Sequence, residues 1–486
     1  MTSLIQDNSY MTSFKTDTWD IIIGGKDRKT NETIAVHFPY TGAEITRVSC
    51  ATAQEITEAL TSAEAGFAIT KTLPLHTRIK ILTELASKME AMRQELTETI
   101  IMEGGKTRTL AEEEVKRSIL TIQHCAEAIA THAEAMIPLD RVPAGEGKSG
   151  TIVRVPIGII VGITPFNFPL NLVCHKLGPA VAAGNAVIIK ASSKTPLSAL
   201  MLGKMLLAAG FPPQALSILV CNHPETMQLT CDPRVALVSF TGSGDIGQKL
   251  RAQSAVPRMM LELGGNAAVI IEDDSDLAAA AKRIVQGGFN HAGQVCISVQ
   301  RVFIKRTIYN RMISLILDNT TNLIVGDPRD PCVTVSPMIT PEAAKKVKTW
   351  INEAVEAGAV MLHGGTYTKT CFTPTILEKT TPDMKVNAEE IFAPVITCTP
   401  YDTFEEALQL ANNSKYGLQT GIFTKHIDQI RYAFEMLDVG CVIINDIPTF
   451  RLDHMPYGGV KSSGIGREGP AYAIREMTTE KMLIIS

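Results

Sequence analysis

Residues 155–174, VPIGIIVGITPFNFPLNLVC, carry no charge over 20 positions. That length and polarity raise the question of a membrane span. Pro156, Pro165 and Pro169, with the amides Asn167 and Asn171, argue against one. Each proline frees backbone polar groups that lipid cannot satisfy. A buried strand over 157–163, a turn and a helix over Asn171–Ala183 fit better.

The same alternation continues on the C-terminal side. Ala186–Lys190 reads as a strand. Residues 196–209 read as a helix, closed by Gly210 and followed by Phe211-Pro212-Pro213. Residues 215–221 and 235–240 read as further strands. Such β-α-β order implies a mainly parallel sheet covered on both faces. Ligands of open sheets bind beyond the C-terminal ends of the strands. The loops after Ile163, Lys190 and Phe240 are therefore the ones to inspect.

A second alternating block starts near 262–265. Ala268–Ile271 and Arg301–Lys305 read as strands, and 275–287, 341–357, 403–413 and 426–438 as helices. On the N-terminal side, residues 19–24 read as a strand, and Thr52-x-x-Glu55 has the form of a capping box. Helical periodicity then runs from about 75 to 135. Residues 481–485 (KMLII) read as a last strand, expected to pair with another domain or subunit because its apolar edge would otherwise lie open.

A chain of 486 residues fits two or three domains. Its net charge of -4 argues against a surface that tracks nucleic acid phosphates. The N-terminus lacks a basic region followed by an apolar run, so no secretory signal is read. The 10 cysteines are scattered without a CxxC pair. That points to reduced thiols in a cytoplasmic protein and calls for no metal.

Phe240 is followed by Thr241-Gly242-Ser243-Gly244-Asp245-Ile246-Gly247, and Glu262 lies 20 residues after Gly242. These match a dinucleotide fingerprint, with Glu262 as the ribose ligand. The fingerprint belongs to the first βα turn of its unit, and this loop follows several strands. Only the meeting of glycines and a helix N-terminus with a pyrophosphate is kept from that reading.

Five segments then coincide in order: Pro165-Phe166-Asn167-Phe168-Pro169, Phe240-Thr241-Gly242-Ser243, Glu262-Leu263-Gly264-Gly265-Asn266, Gly293-Gln294-Val295-Cys296 and Glu390-Ile391-Phe392-Ala393-Pro394. Together they resemble the aldehyde dehydrogenase superfamily, over the chain from about residue 15 to its end. The resemblance implies an α/β fold: a Rossmann-like cofactor domain (15–135 and 155–262), a second α/β catalytic domain (263–445), and a small β oligomerisation element (136–154 and 465–486). It implies a homodimer or homotetramer, NAD or NADP as cofactor, and a small-molecule aldehyde as substrate.

The resemblance also implies roles. Cys296 would be the nucleophile, forming a hemithioacetal and then a thioester. Asn167 would supply a donor to the oxyanion, with the Cys296 N–H as the other. Glu262 would activate the hydrolytic water. Thr164, Pro165, Phe166, Gly242, Leu263 and Gly264 would line the cofactor site. Lys190 would reach the adenosine ribose, Ser243 the pyrophosphate, and Glu390 and Phe392 the nicotinamide ribose and ring. Taken singly, each has an ordinary structural explanation: Cys296 a buried apolar residue, Asn167 a turn residue, Glu262 a solvated hinge residue.

Two departures matter. Ser193, followed by Lys194, stands where NAD-preferring members often carry an acid, so NADP is expected to be accepted. The adenine-lining stretch is Cys221-Asn222-His223-Pro224-Glu225-Thr226, without the usual glycines. Near the thiol, Phe168, Val295, Ile297 and Ser298 suggest a mostly apolar funnel. Arg451, in a loop that borders the family's substrate entrance, suggests an anion contact; an ion pair with Asp453 or another neighbour is the alternative. The branch resembles lactaldehyde, non-phosphorylating glyceraldehyde-3-phosphate and phosphonoacetaldehyde dehydrogenases, so a small hydroxylated or anionic aldehyde is expected. Rival readings are a cysteine hydrolase or acyltransferase using His291 or His175 as base, and a non-catalytic binding protein on the same fold.

Overall fold

The strand Ile159–Ile163 is buried along its whole length, as its uncharged sequence requires. It lies between Ala186–Lys190 and Val235–Thr241, parallel to both. This computed structural model describes residues 18–131 and 135–486. The first residues of the expected cofactor domain, the N-terminal leader reading, and part of the expected helical run near 135 lie outside the described residues.

The first sheet has 8 strands. Its parallel centre runs Leu216–Leu219, Ala186–Lys190, Ile159–Ile163, Val235–Thr241 and Met259–Glu262. Strand order reverses direction at Ile159–Ile163, so the crevice opens between that strand and Val235–Thr241. Their following loops carry Thr164–Phe168 and Gly242–Ser243. The helix Asn171–Ala183 is buried at every position, so its apolar residues are not confined to one stripe; its polar side chains Asn171, His175 and Lys176 are buried in hydrogen bonds.

The second sheet has 7 strands, with Ala268–Ile271, Arg301–Lys305, Val395–Tyr401 and Gln419–Phe423 parallel at its centre. Separate apolar clusters fill the two halves. The chain is thus α/β, with a Rossmann-like sheet and a second α/β sheet. A small three-stranded sheet stands apart from them.

That small sheet revises one expectation. The last strand is Thr478–Ile485, longer than the apolar run, and it pairs over its length with Ser149–Pro156 of the same chain. Backbone pairing carries it through Thr478, Thr479 and Glu480, where hydropathy gives no signal. Met482, Leu483, Ile484 and Ile485 remain exposed. The Thr52–Glu55 capping box forms, the Thr52 N–H donating to Glu55 Oε2 at 2.9 Å. Among the described residues no helix is long and apolar enough to cross a membrane.

Candidate active site

One cavity of about 890 Å³ joins the two sheets. One end is lined by Lys190, Ser193 and His223, the middle by Gly242, Ser243, Leu263 and Gly264, and the other end by Asn167, Glu262, Cys296 and Arg451. Residues spread over the sequence therefore share one wall.

The loop that presents Cys296 is unusual. His291 and Ala292 adopt φ of 49° and 53°, and Gly293 follows at 67°. A Cβ on Gly293 would lie 2.1 Å from the Ala393 carbonyl oxygen, so glycine is required there. Gln294 pins the turn. Its side chain donates to the His291 carbonyl at 3.1 Å and accepts from the Ile339 N–H at 2.8 Å. Its own carbonyl accepts from Asn167 Nδ2 at 2.9 Å. That bond uses one of the two amide hydrogens of Asn167 and leaves the other for a ligand. The Asn167 Oδ1 is buried without a partner.

Burial pushes the Cys296 thiol up to about 12, opposed by the Tyr457 hydroxyl and the Arg451 cation. The resting thiol is therefore protonated near neutrality. Its hydrogen-bond partner is the Tyr457 hydroxyl at 2.8 Å, not a histidine. His175 is bound instead to Asp453 and Arg451, and both ring nitrogens of His291 lack a partner. The hydrolase reading thus loses its base.

Glu262 ends the strand Met259–Glu262. Burial raises its carboxyl well above the usual range, and the negative charge of Glu468 adds to this. Its Oε2 has no partner. Glu468 is the reverse case. Burial acts to raise it, but Lys176 and Arg451 hold it ionised. Lys176 Nζ lies 2.9 Å from Glu468 Oε1 and 2.7 Å from the Thr241 hydroxyl.

The cofactor end fits a dinucleotide by its donor set. Lys190 ends its strand in the cavity wall, and no hydrogen bond or ion pair ties its ammonium to another described residue; burial lowers its affinity for a proton. Ser243 stands at the N-terminus of the helix Gly244–Gln253 and lines the cavity with Gly242; its hydroxyl makes no capping bond to the helix. Glu390 accepts from the Gly265 N–H at 3.0 Å, and a Cβ on Gly264 would lie 2.4 Å from its Oε2. The missing Cβ thus lets that carboxylate pack against the Gly264 backbone. Burial pushes Glu390 up to about 7. Phe392 packs edge-on to Phe166 at 5.8 Å.

Two expected wall residues do not take part. Ser298 turns away from this cavity, because its hydroxyl donates to the Gly287 carbonyl at 3.1 Å. Lys194 is exposed and outside the lining, close enough to Glu342 to be felt electrostatically; only Ser193 of that pair reaches the cavity.

Around the thiol the wall is more charged than the sequence suggested. Arg451 pairs with Glu468 at 3.1 Å and lies 3.7 Å over the Tyr457 ring. Asp453 is taken by Arg117 in a two-pronged bond and by His175. So the expected ion pair of Arg451 exists, but with Glu468. Its Nε remains without a partner. Lys106 lies 3.5 Å over the Phe168 ring and pairs with Glu114. Val295 and Ile297 are buried with Leu418 and Tyr457 as expected of an apolar lining. Lys106, Arg117, Tyr457 and Glu468 were not read from the sequence. No local pattern marks them.

Comparison with known proteins agrees with this geometry. The aldehyde dehydrogenase family model matches residues 26–483.

The chain belongs to the aldehyde dehydrogenase family.

A 3-sulfolactaldehyde dehydrogenase of Priestia megaterium is 38% identical over 488 residues, covering 100% of both chains. The structure of aldehyde dehydrogenase 21 from Physcomitrella patens, in complex with its reaction product succinate, superposes with a TM-score of 0.95 at 36% identity, covering 97% of this chain and 98% of that one. A glyceraldehyde-3-phosphate dehydrogenase from Methanocaldococcus jannaschii, complexed with NADP, superposes at 0.91 with 35% identity, covering 94% and 100%. This chain is accordingly an NAD(P)-dependent aldehyde dehydrogenase that takes a small-molecule aldehyde.

Proposed function

We propose that the enzyme oxidises a small hydroxylated or anionic aldehyde to its carboxylic acid, with Cys296, Glu262 and Asn167 as its catalytic residues. The observation that carries this reading is the single cavity joining the unpaired Lys190 to Cys296. Bound NAD or NADP would supply the hydride acceptor. The protein's own residues do the rest. Cys296 attacks the carbonyl carbon. The free N–H of Asn167 and the Cys296 backbone N–H receive the oxyanion. Glu262, once ionised, takes a proton from the water that hydrolyses the thioester.

The side chains around the thiol favour an anionic substrate. Lys106, Arg117 and Arg451 line the cavity there, each paired to a carboxylate. Arg451 keeps an unpartnered Nε for an anion. The relatives' named ligands, 3-sulfolactaldehyde and succinate, belong to the same chemical class. Arg451→Ala is expected to raise KM for an anionic aldehyde by about 10-fold or more, in line with a lost charge-assisted bond. The KM for a neutral aldehyde of similar size should change little, whatever fall in kcat the two substrates share. Equal effects on the two KM values would remove Arg451 from substrate recognition.

At the adenosine end, Ser193 presents a hydroxyl where a carboxylate would repel a 2′-phosphate. We therefore infer that NADP is used. Ser193→Glu should lower kcat/KM with NADP on the order of 10-fold or more while sparing NAD, because a charge is set against a phosphate. An unchanged ratio between the two cofactors would reject the assignment. The domain boundaries given above, a cytoplasmic location, and a homodimer or homotetramer built on the exposed 482–485 edge complete the reading.

A further inference from the structure

Burial makes Cys296 a poor thiolate, yet the reading above needs it as one. Relief has to come from the groups that face Sγ. Those are the Tyr457 hydroxyl, Arg451, Glu262 and Glu390. The carboxylates oppose ionisation, and Arg451 acts on the thiol electrostatically, without a hydrogen bond to it. Only the phenol touches sulfur.

We propose that Tyr457 is the positioning residue of the nucleophile, its phenol donating a hydrogen bond to the Cys296 thiolate while Arg451, stacked on the ring, holds it in that role. The neutral thiol can give or accept this bond, but the thiolate can only accept. The bond therefore favours the charged form. A cation against the ring face draws electron density from the phenol oxygen and strengthens its donation.

The surroundings hold the phenol in place. The Tyr457 N–H donates to the Glu468 carbonyl at 3.0 Å, and the Glu468 N–H donates back at 2.7 Å. The Glu468 side chain fixes Arg451 at 3.1 Å, and Arg451 lies 3.7 Å from the ring centroid. Tyrosine, arginine and glutamate thus form one clamped unit. The Tyr457 ring is otherwise packed against apolar Val295, Ile297 and Leu418. Removing the single phenol oxygen leaves that packing intact.

The inference rests on Cys296 as nucleophile, so the test reads the thiol apart from the oxidation. Full-length protein without cofactor is alkylated with iodoacetamide across the alkaline pH range, and the Cys296 peptide is quantified by mass spectrometry. In that reaction the thiol proton goes to buffer, the Sγ–C bond forms, and iodide leaves. Tyr457→Phe is expected to move the Cys296 profile up by about 1 pH unit, so that its alkylation slows about tenfold at each pH below the midpoint. The accessible thiols Cys231, Cys332, Cys371 and Cys441 serve as the internal reference and should not move. A Cys296 profile that superposes on that of the unsubstituted protein overturns the proposal.

If the variant does not fold, site-specific replacement of Tyr457 by 3-fluorotyrosine takes over, because its more acidic phenol is a stronger donor of nearly the same shape. A Cys296 profile moved down in pH supports the proposal, and a profile that does not move overturns it. A shifted profile with undiminished aldehyde oxidation would keep Tyr457 and discard Cys296 as nucleophile. An unshifted profile in a protein that Cys296→Ala inactivates would do the opposite.

Discussion

Cys296→Ala protein is expected to form no measurable reduced cofactor from any aldehyde, a loss of at least about 10⁴-fold in kcat. The size follows from the chemistry. No other thiol shares the cavity wall near Glu262; Cys221 lines its opposite, adenosine end. Without Sγ the aldehyde carbon has no covalent partner, and hydride must leave from a hydrated aldehyde that nothing in the wall is arranged to form. Cofactor binding should survive, because Lys190, Ser243 and Glu390 are contributed by other segments. The measurement is therefore paired: NADPH formation by absorbance, and cofactor binding by the rise in melting temperature on its addition. More than about 1% residual oxidation would mean that the covalent route is not the main one. Loss of both oxidation and binding would point to a collapsed loop instead.

Much of this architecture was legible in the sequence, for a definite reason. Asn171–Ala183, Ala186–Lys190 and Ala268–Ile271 are observed with the bounds their apolar runs suggested. Burial on both faces makes such segments uniformly apolar, and turns of glycine and proline cut them cleanly. The proposed catalytic trio could be named only through the order of its motifs. What stayed hidden depends on contacts between distant segments. Arg117 meets Asp453 across 336 positions, and Tyr457 meets Cys296 across 161. Neither pair leaves a local periodicity or spacing. Direction was hidden too. Ser298 and Lys194 stand beside wall residues, yet a turn sends each side chain elsewhere. The terminal strand shows a third limit. Its polar first residues are strand because Arg154, Val155 and Pro156 pair with them, not because of their own preference.

Glu262→Gln should separate the two halves of the reaction. Sγ, Asn167 and the cofactor wall are untouched, so a first turnover can reach the thioester. Hydrolysis then lacks its base, because an amide cannot take a proton from water. A burst approaching one reduced cofactor per active site is expected, followed by a steady rate lower by about 10²- to 10³-fold. Mass spectrometry of the stalled protein should find the acyl group on the Cys296 peptide. The pH dependence gives an independent check. Burial, reinforced by Glu468, raises the Glu262 carboxyl well above its ordinary range. Its ionised, base-competent form therefore grows as pH rises, and kcat of the native enzyme should climb with pH over that limb. The glutamine variant has lost that group, so its slow steady rate, limited by deacylation, should lose the limb. An unchanged steady rate, or a retained limb with no acyl adduct, would move the deacylation base away from Glu262. Of the other carboxylates in the wall, Glu390 already accepts from the Gly265 N–H, and Glu468 is kept ionised and bonded by Lys176 and Arg451. A carboxylate held that firmly is a weak base. The orphaned Oε2 of Glu262, buried and raised, is the one poised to exchange a proton.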